Sequence, residues 1–438
     1  MSGAKILLVG SGAREHIIAE KLFESKPMPH IYSYMSAKNP GVMFCSDKDM
    51  IGKMNDVDSI VTFAKQNKVD FVVIGPEIPI EAGVTDALRY VGIRCVGPRK
   101  VVGQLETSKS FTRDLVAKYD IPGNPKFKIF ESIDKISEFM DELGDTGFVI
   151  KPDGLTGGKG VKVLGEHLKG KEDSLEYCKE IIIHGSRVIV EEKFVGEEFS
   201  LMSFVDGKTV VDMPAVQDHK RAFNGDTGPN TGGMGSYSGP KGLLPFLNEK
   251  HIEDAHNITV KVMEAIKKET DVDYKGIMYG GFIATKNGVR LIEYNARFGD
   301  PEAMNVLTLL KTDFVKVCTA IVEGTLGELK VEFSDDATVC KYVVPNGYPD
   351  NPEKNEKIEI PKPENGAKVY YAAIDKREGA LYMTGSRAVA FVGRGASISD
   401  AEKIAEDACN TVTGTVRHRT DIGTDALVQK RIDHMDAL

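Results

Sequence analysis

The chain has 438 residues, 41% hydrophobic and 28% charged, with a net charge of −9, the make-up of a soluble globular protein too long for a single core. The acidic balance argues against a general binder of nucleic acid or anionic membrane, and no apolar run approaches a membrane span. MSGAKILLVGSG enters a strand and glycine turn without the layout of a secretory signal, and the six scattered cysteines form no CxxC, so a cytoplasmic protein with reduced thiols, no zinc and no disulfide framework is expected.

Residues 1–103 alternate strands (Lys5–Val9, Ile31–Met35, Asp70–Ile74, Arg94–Val96) with helices, predicting a doubly wound parallel sheet with its ligand site at the strand carboxyl ends. Gly10-Ser11-Gly12-Ala13-Arg14-Glu15-His16 opens the first helix. The third glycine of a dinucleotide fingerprint would fall at Glu15, and no acidic residue stands between Glu24 and Asp47 to take a ribose, so hydride transfer with NAD is a poor reading. A helix N-terminus suited to a phosphate remains, with Arg14 able to assist, although a solvated helical turn would carry the same residues. Glu77, in IGPEIP, is the one carboxylate in two further turns facing that crevice, and it reads equally as a helix cap. Residues 104–123 form a linker carrying a helix over Ser108–Tyr119.

Residues 124–192 make a compact unit with a helix near 133–143 and the stretch FVIKPDGLTGGKGVKVL. Gly154, Gly157, Gly158 and Gly160 with Lys159 suit a loop whose backbone N–H groups close over phosphates. A Walker A loop is excluded because Asp153 occupies its first glycine position and Gly160 its last. Period-two apolar residues follow, so the loop is expected between antiparallel strands, as a flap or as a plain glycine hairpin. RVIVEE at 187–192 runs into Lys193-Phe194-Val195-Gly196-Glu197-Glu198, which can line an adenine slot, with backbone around Lys193–Val195 reading the base and Glu198 accepting from ribose.

Within 193–328, residues 217–240 (QDHKRAFNGDTGPNTGGMGSYSGP) hold six glycines and two prolines and are expected to be a long functional loop that does not pack as core. Asn287-Gly288 signals a hairpin between GGFIAT and VRLIEYNAR. Strict alternation puts Val289, Leu291, Glu293, Asn295 and Arg297 on one face, a carboxylate, an amide and a guanidinium in a row, as a Mg²⁺–nucleotide site wants. Asp300 before Pro301 reads as a helix N-cap first and a ligand contact second. Residues 329–438 hold short strands and a final helix from a capping box Ser399-Asp400-Ala401-Glu402; no chemistry is apparent there, and the unit reads as a lid or wall.

GSGAREH, GPEIP, KPDGLTGGKG, QDHKRAFNGDTGPNTGGMGSYS, IEYNARFGDPE and RTDIG follow one another over essentially the whole chain. In this it resembles the ATP-grasp ligases, and among them those that join glycine to 5-phosphoribosylamine. The resemblance implies an α/β architecture with an N-terminal sheet domain, ATP-grasp flap and central domains, and a small mixed β C-terminal domain. It implies ATP contacts at Lys109, Lys151, Gly157, Gly158 and Gly160, at Glu191, Glu192, Lys193, Phe194 and Val195 around adenine, and at Glu198 on ribose. Mg²⁺ or Mn²⁺ would lie on Glu293 and Asn295. The phosphosugar would lie near Gly10, Gly12, Arg14, Glu15, His16 and Glu77, and glycine near His219, Lys220, Arg221, Asp226, Gly232, Gly233, Gly235 and Asp300, with Arg297, Lys159 and Asp218 as catalytic side chains. The implied reaction is a step of purine biosynthesis in which ATP phosphorylates the glycine carboxylate and the amine of 5-phosphoribosylamine displaces phosphate. The absence of an evident Ser–His or Cys–His nucleophile pair agrees with catalysis by positioning and charge.

Gly281 departs from the pattern: related enzymes often carry a polar metal ligand there, commonly glutamine, so a second metal would rely on water or phosphate oxygens. The rivals are another ATP-grasp ligase, such as a biotin-dependent carboxylase subunit or a purine carboxylase, and a non-catalytic ATP-binding sensor. The 217–240 loop argues against the first, and the polar residues at 293, 295 and 297 against the second. Small-molecule substrates, no nucleic-acid or membrane partner, and a monomer or weak homo-oligomer complete the expectation.

Overall fold

The computed structural model describes residues 3–144, 147–157 and 160–438; Gly158 and Lys159, singled out above, lie outside them. The N-terminal sheet is parallel, in the order Lys48–Ile51, His30–Met35, Lys5–Val9, Phe71–Ile74, Arg94–Val96. Its central strands are continuous apolar runs because helices cover both faces. The winding reverses at Lys5–Val9, so the turns after it and after Phe71–Ile74 open on one crevice. Glu15 fills the space over these turns: a Cβ at Gly10 or Gly75 would overlap its side chain, and its Oε2 accepts from the Gly12 N–H at 2.6 Å. The position that a dinucleotide fingerprint gives to glycine thus holds a carboxylate that ties the turn to itself.

The flap unit is a four-stranded antiparallel sheet, ordered Phe127–Phe130, Val188–Glu192, Phe148–Pro152, Lys162–Val163. It packs on Ile136–Leu143 and on Lys171–Ile183, a helix the sequence reading passed over. Phe148, Ile150, Val188 and Val190 alternate into a core of the unit's own with Ile136, Phe139 and Cys178. Lys151 and Glu191 therefore face the other way, toward the central sheet.

That central sheet runs Val210–Asp212, Glu197–Val205, Gly276–Thr285, Gly288–Asn295, all antiparallel, and is backed by the long helix Glu249–Thr270. One feature of the last hairpin corrects the simple alternation. Gly281 pairs with Glu293 and Phe282 with Leu291, so Ile292 is an extra residue, a β-bulge. Val289, Leu291, Tyr294 and Ala296 join the core beneath, while Glu293, Asn295 and Arg297 line the opposite, open side. The bulge switches faces between Leu291 and Glu293, which is how a strand that begins as core ends as a polar wall.

The C-terminal unit is built on Lys368–Tyr371, Val389–Gly395 and Ala337–Pro345. Its sheet continues through Gly235–Ser238 to Gln217–Asp218. The 217–240 stretch is thus not a free loop: its ends are strands on the neighbouring sheet, and Met234 and Tyr237 are fully buried. Gly235 permits this, since a Cβ there would collide with the Cys340 carbonyl. The helix Ile398–Cys409 starts two residues earlier than the capping box suggested, with Ser397 accepting from Asp400 N–H, because Ile398 is its first buried anchor. Nor is it the last helix: Asp425–Asp436 follows. No described helix is long and apolar enough to cross a membrane.

Candidate active site

A cavity of about 910 Å³ opens where the flap, the central sheet, the N-terminal crevice and the C-terminal unit meet. Each unit contributes charge to its wall.

On the flap side, Lys109 and Arg113 stand one turn apart on the helix Lys109–Lys118 and so share a face. Lys109 Nζ donates to the Gly154 carbonyl at 2.6 Å. Arg113 grips Glu191 at 2.6 and 2.8 Å, and Lys151 Nζ reaches the same carboxylate at 2.8 Å. Arg113 and Lys151 also donate to the Ile292 carbonyl, fixing the bulge to the flap. Burial raises the Glu191 pKa, but the two cations outweigh it and hold it at about 2. Burial, with the like charge of Arg113, lowers that of Lys151. The flap is anchored at Asp153, which accepts from Ser110 Oγ at 2.5 Å, Arg187 at 2.7 Å and Gly154 N–H at 3.0 Å.

Gly157, Glu191 and Glu198 line the cavity along with Lys109 and Lys151. Glu192, Lys193, Phe194, Val195 and Gly160 do not. Glu192 accepts from Lys126 N–H, Lys193 pairs with Glu166 at 3.2 Å, Phe194 lies under the Arg290 guanidinium, Val195 is exposed, and the Gly160 carbonyl accepts from Tyr177.

On the central strand, burial works against the Glu293 carboxylate, yet Lys220, Lys151, Lys109 and Arg297 together keep its pKa below the ordinary value. Glu293 is therefore ionised, with Asn295 two residues along on the same wall. Arg297 is held by Glu106 at 2.8 Å and Glu77 at 3.5 Å, and donates to Asn295 Oδ1 at 3.3 Å. Glu106 also accepts from the Ala296 N–H at 2.7 Å, locking the strand end. No three His, Cys, Asp or Glu side chains converge as metal ligands among the described residues. Two hard oxygen donors fit a Mg²⁺-type ion that takes its other ligands from phosphate and water, not an all-protein cage. Gly281 lies directly across from Glu293.

In the N-terminal crevice Arg14 lines the cavity and is buried, with Nε on Glu15 at 2.5 Å and an NH on the Phe298 carbonyl at 3.2 Å. His16 is turned elsewhere. Its ring stacks on Tyr371 and meets Tyr370 edge-on, its Nδ1 accepts from the Tyr371 N–H at 3.0 Å, and burial pushes its pKa down to about 4.

Opposite, Asp218, His219, Lys220, Arg221, Asp226 and Gly232 all face the cavity, whereas Gly233 and Gly235 lie behind it. Asp218 Oδ1 is buried without a partner among the described residues, and burial together with Glu302 raises its pKa well above the ordinary value. Burial opposes the charge of Lys220, but Glu198, Glu293, Asp218 and Glu302 more than restore it. Arg221 pairs with Glu166 at 3.1 Å. Asp300 is no helix cap: the helix Glu302–Leu309 starts after Pro301, and Asp300 accepts from Tyr342 OH at 2.5 Å and pairs with Arg387 at 3.1 Å. Arg387 donates in addition to the Gly232 and Gly233 carbonyls, pinning the glycine-rich turn. The C-terminal unit, read from sequence as chemically silent, thus puts Arg387, Arg431 and His434 into the wall. The i, i+4 spacing from Lys109 could have revealed Arg113; Arg387 and Arg431 carry no local signal, because only the tertiary fold brings them here.

A doubly wound domain followed by a flap and a central antiparallel sheet that clasp a cavity lined by charges of both signs defines the ATP-grasp enzymes. Sequence models of phosphoribosylglycinamide synthetase match residues 4–106 (N domain), 107–303 (ATP-grasp domain) and 338–425 (C domain). The chain belongs to the phosphoribosylglycinamide synthetase family. It is 48% identical over 434 residues to the phosphoribosylamine–glycine ligase of Methanosarcina barkeri, covering 99% of each chain. It is 49% identical over 443 residues to that of Methanocaldococcus jannaschii, again covering 99% of each. The crystal structure of the Thermotoga maritima phosphoribosylamine–glycine ligase superposes with a TM-score of 0.81 at 27% identity, covering 96% of this chain and 100% of that one. The biotin carboxylase domain of the Hydrogenobacter thermophilus 2-oxoglutarate carboxylase, at 15% identity and a TM-score of 0.71 with 100% and 94% covered, shares the fold.

Proposed function

We propose that the protein joins glycine to 5-phosphoribosylamine at the expense of ATP, giving glycinamide ribonucleotide, ADP and phosphate, a step of purine biosynthesis. The observation that carries this is the ionised Glu293 beside Asn295, ringed by Lys109, Lys151, Lys220 and Arg297, at the meeting point of all units in a chain of this family. The working division is 1–103 for the phosphosugar domain, 104–123 as linker, 124–192 for the flap, 193–328 for the catalytic centre and 329–438 as its wall.

In the first step a glycine carboxylate oxygen attacks the γ-phosphorus, the bond to ADP breaks, and glycyl phosphate forms. Lys109, Lys151, Arg297 and the flap from Gly157 through Gly158 and Lys159 carry the transferring charge, and Glu191 and Glu198, the members of the 191–198 run placed above on the cavity wall, hold the nucleoside. A Mg²⁺ or Mn²⁺ ion on Glu293 and Asn295, when bound, neutralises phosphate charge. In the second step the phosphoribosylamine nitrogen attacks the carbonyl carbon, the carbon–oxygen bond to phosphate breaks, and the amide forms. Asp218, whose burial makes it hold a proton more tightly than an ordinary carboxylate, suits the role of taking the amine proton. Arg14 at the helix start receives the sugar phosphate, with Glu77 on the same wall; Glu15 and His16, engaged in the fold, stand behind them. His219, Lys220, Arg221, Asp226 and Gly232, with Asp300, surround glycine.

ADP release by the purified protein with Mg²⁺, ATP, glycine and freshly generated 5-phosphoribosylamine, each omitted in turn, tests the reading. Release that requires both co-substrates, with the product seen by mass, supports it. ATP binding without release would mean a sensor, and bicarbonate-dependent release a carboxylase. We place the protein in the cytoplasm as a monomer or weak homo-oligomer, a state that sedimentation of the purified chain checks.

A further inference from the structure

His219 lines the cavity and is buried. Its Nε2 is without a partner among the described residues, while Nδ1 faces Asp226 Oδ1 at 3.4 Å. Two arginines hold Asp226 from behind: Arg419, fully buried, at 3.0 Å from Oδ1, and Arg431 on Oδ2. Arg431 belongs to the helix Asp425–Asp436, which the family's C-domain match, ending at residue 425, only touches.

That helix is seated by Leu427 and Val428. Arg431 and His434 lie one and two turns on along the same face, and both reach Glu197, Arg431 Nε at 3.5 Å and His434 Nδ1 at 2.6 Å. Glu197 accepts in turn from Gln217 Nε2 at 3.3 Å, and Gln217 Oε1 accepts from Tyr237 OH at 2.5 Å. The Tyr237 ring stacks on His219 with centroids 5.6 Å apart. The carboxylate behind the imidazole and the ring against it therefore both lead back to Arg431.

We propose that Arg431 is a positioning residue for the ligation: through Asp226 it fixes His219 with its proton on Nδ1, so that the Nε2 lone pair accepts from the amino group of the bound amino acid. The inference rests on the reading of the cavity as an amino-acid ligation site. The charged and titratable groups facing His219 are Asp226, Arg419, Asp421, Arg431 and Tyr237. Burial lowers its pKa, and Arg419 and Arg431 add to this against the pull of Asp226, which leaves a neutral ring, the form that can accept.

The test compares wild type, Arg431→Ala and Arg431→Lys as full chains, by imidazole ¹⁵N NMR and by steady-state kinetics. In wild type His219 should be the Nδ1–H tautomer. Arg431→Ala should lose that signature and raise KM for glycine on the order of 10- to 100-fold, as when other groups that orient a working side chain are lost, with KM for ATP within about twofold. Arg431→Lys should restore most of both. An unchanged tautomer in Arg431→Ala would overturn the proposal, and so would equal impairment of both variants. Should the wild type fail to ligate glycine, the functional reading falls, while the tautomer comparison still decides the positioning role by itself.

Discussion

Glu293 gathers the charges of the site, with four cations around one buried carboxylate. On the proposed reading, in which Glu293 holds the metal, Glu293→Ala should lower kcat by roughly 10³-fold or more. Its melting temperature should stay close to wild type, because the side chain faces the cavity and not the core; wild-type-like turnover would remove Glu293 from the metal site. Arg14→Ala should raise KM for the phosphosugar roughly 10- to 100-fold, the worth of one charge-assisted hydrogen bond, with little change for glycine. An equal effect on both substrates would move the phosphosugar elsewhere. Glu191 gives a pH prediction. Its pKa of about 2 lies below its ordinary value of 4.5, so its contribution, roughly 3 kcal/mol, is complete above about pH 4.5 and fades as the pH falls toward 2. Melting curves from pH 6 to pH 3 should show this decline, and Glu191→Gln, already less stable at pH 6, should flatten it.

Among the elements, the flap hangs on Asp153, which takes hydrogen bonds from Ser110 on the helix before it and from Arg187, just ahead of the neighbouring strand Val188–Glu192. Asp153→Ala should leave the central sheet intact, speed hydrogen exchange across residues 148–157 and 160–163, and raise KM for ATP; unchanged exchange there would show the flap is held by other contacts. The strands of this unit were legible because Phe148 and Ile150 alternate with Val149 and Lys151 in the sequence. The bulge at Ile292 was not. The side chains 289–297 look like one regular strand, and the extra residue is set by Arg113 and Lys151 binding the Ile292 carbonyl from another unit. Polarity grouped Glu293, Asn295 and Arg297, which do stand on one wall, while the face of Val289 and Leu291 followed from a contact that no local pattern encodes.

Across the whole molecule, the sequence displayed its glycine-rich motifs and hid what they lean on. The 217–240 stretch looked unpackable from its composition, yet it completes the sheet of the C-terminal unit, and Gly235 is there to let two backbones meet. Asp300 looked like a local cap and is instead a tie to Arg387 and Tyr342, more than forty residues along the chain. The C-terminal unit therefore shapes the catalytic cavity as well as covering it. The most direct measurement on the ligation itself uses glycine labelled with ¹⁸O in both carboxylate oxygens. Activation as glycyl phosphate sends one of these oxygens to phosphate and keeps the other in the amide. One ¹⁸O in the released phosphate per amide formed is the expected result; unlabelled phosphate alongside the amide product would contradict it.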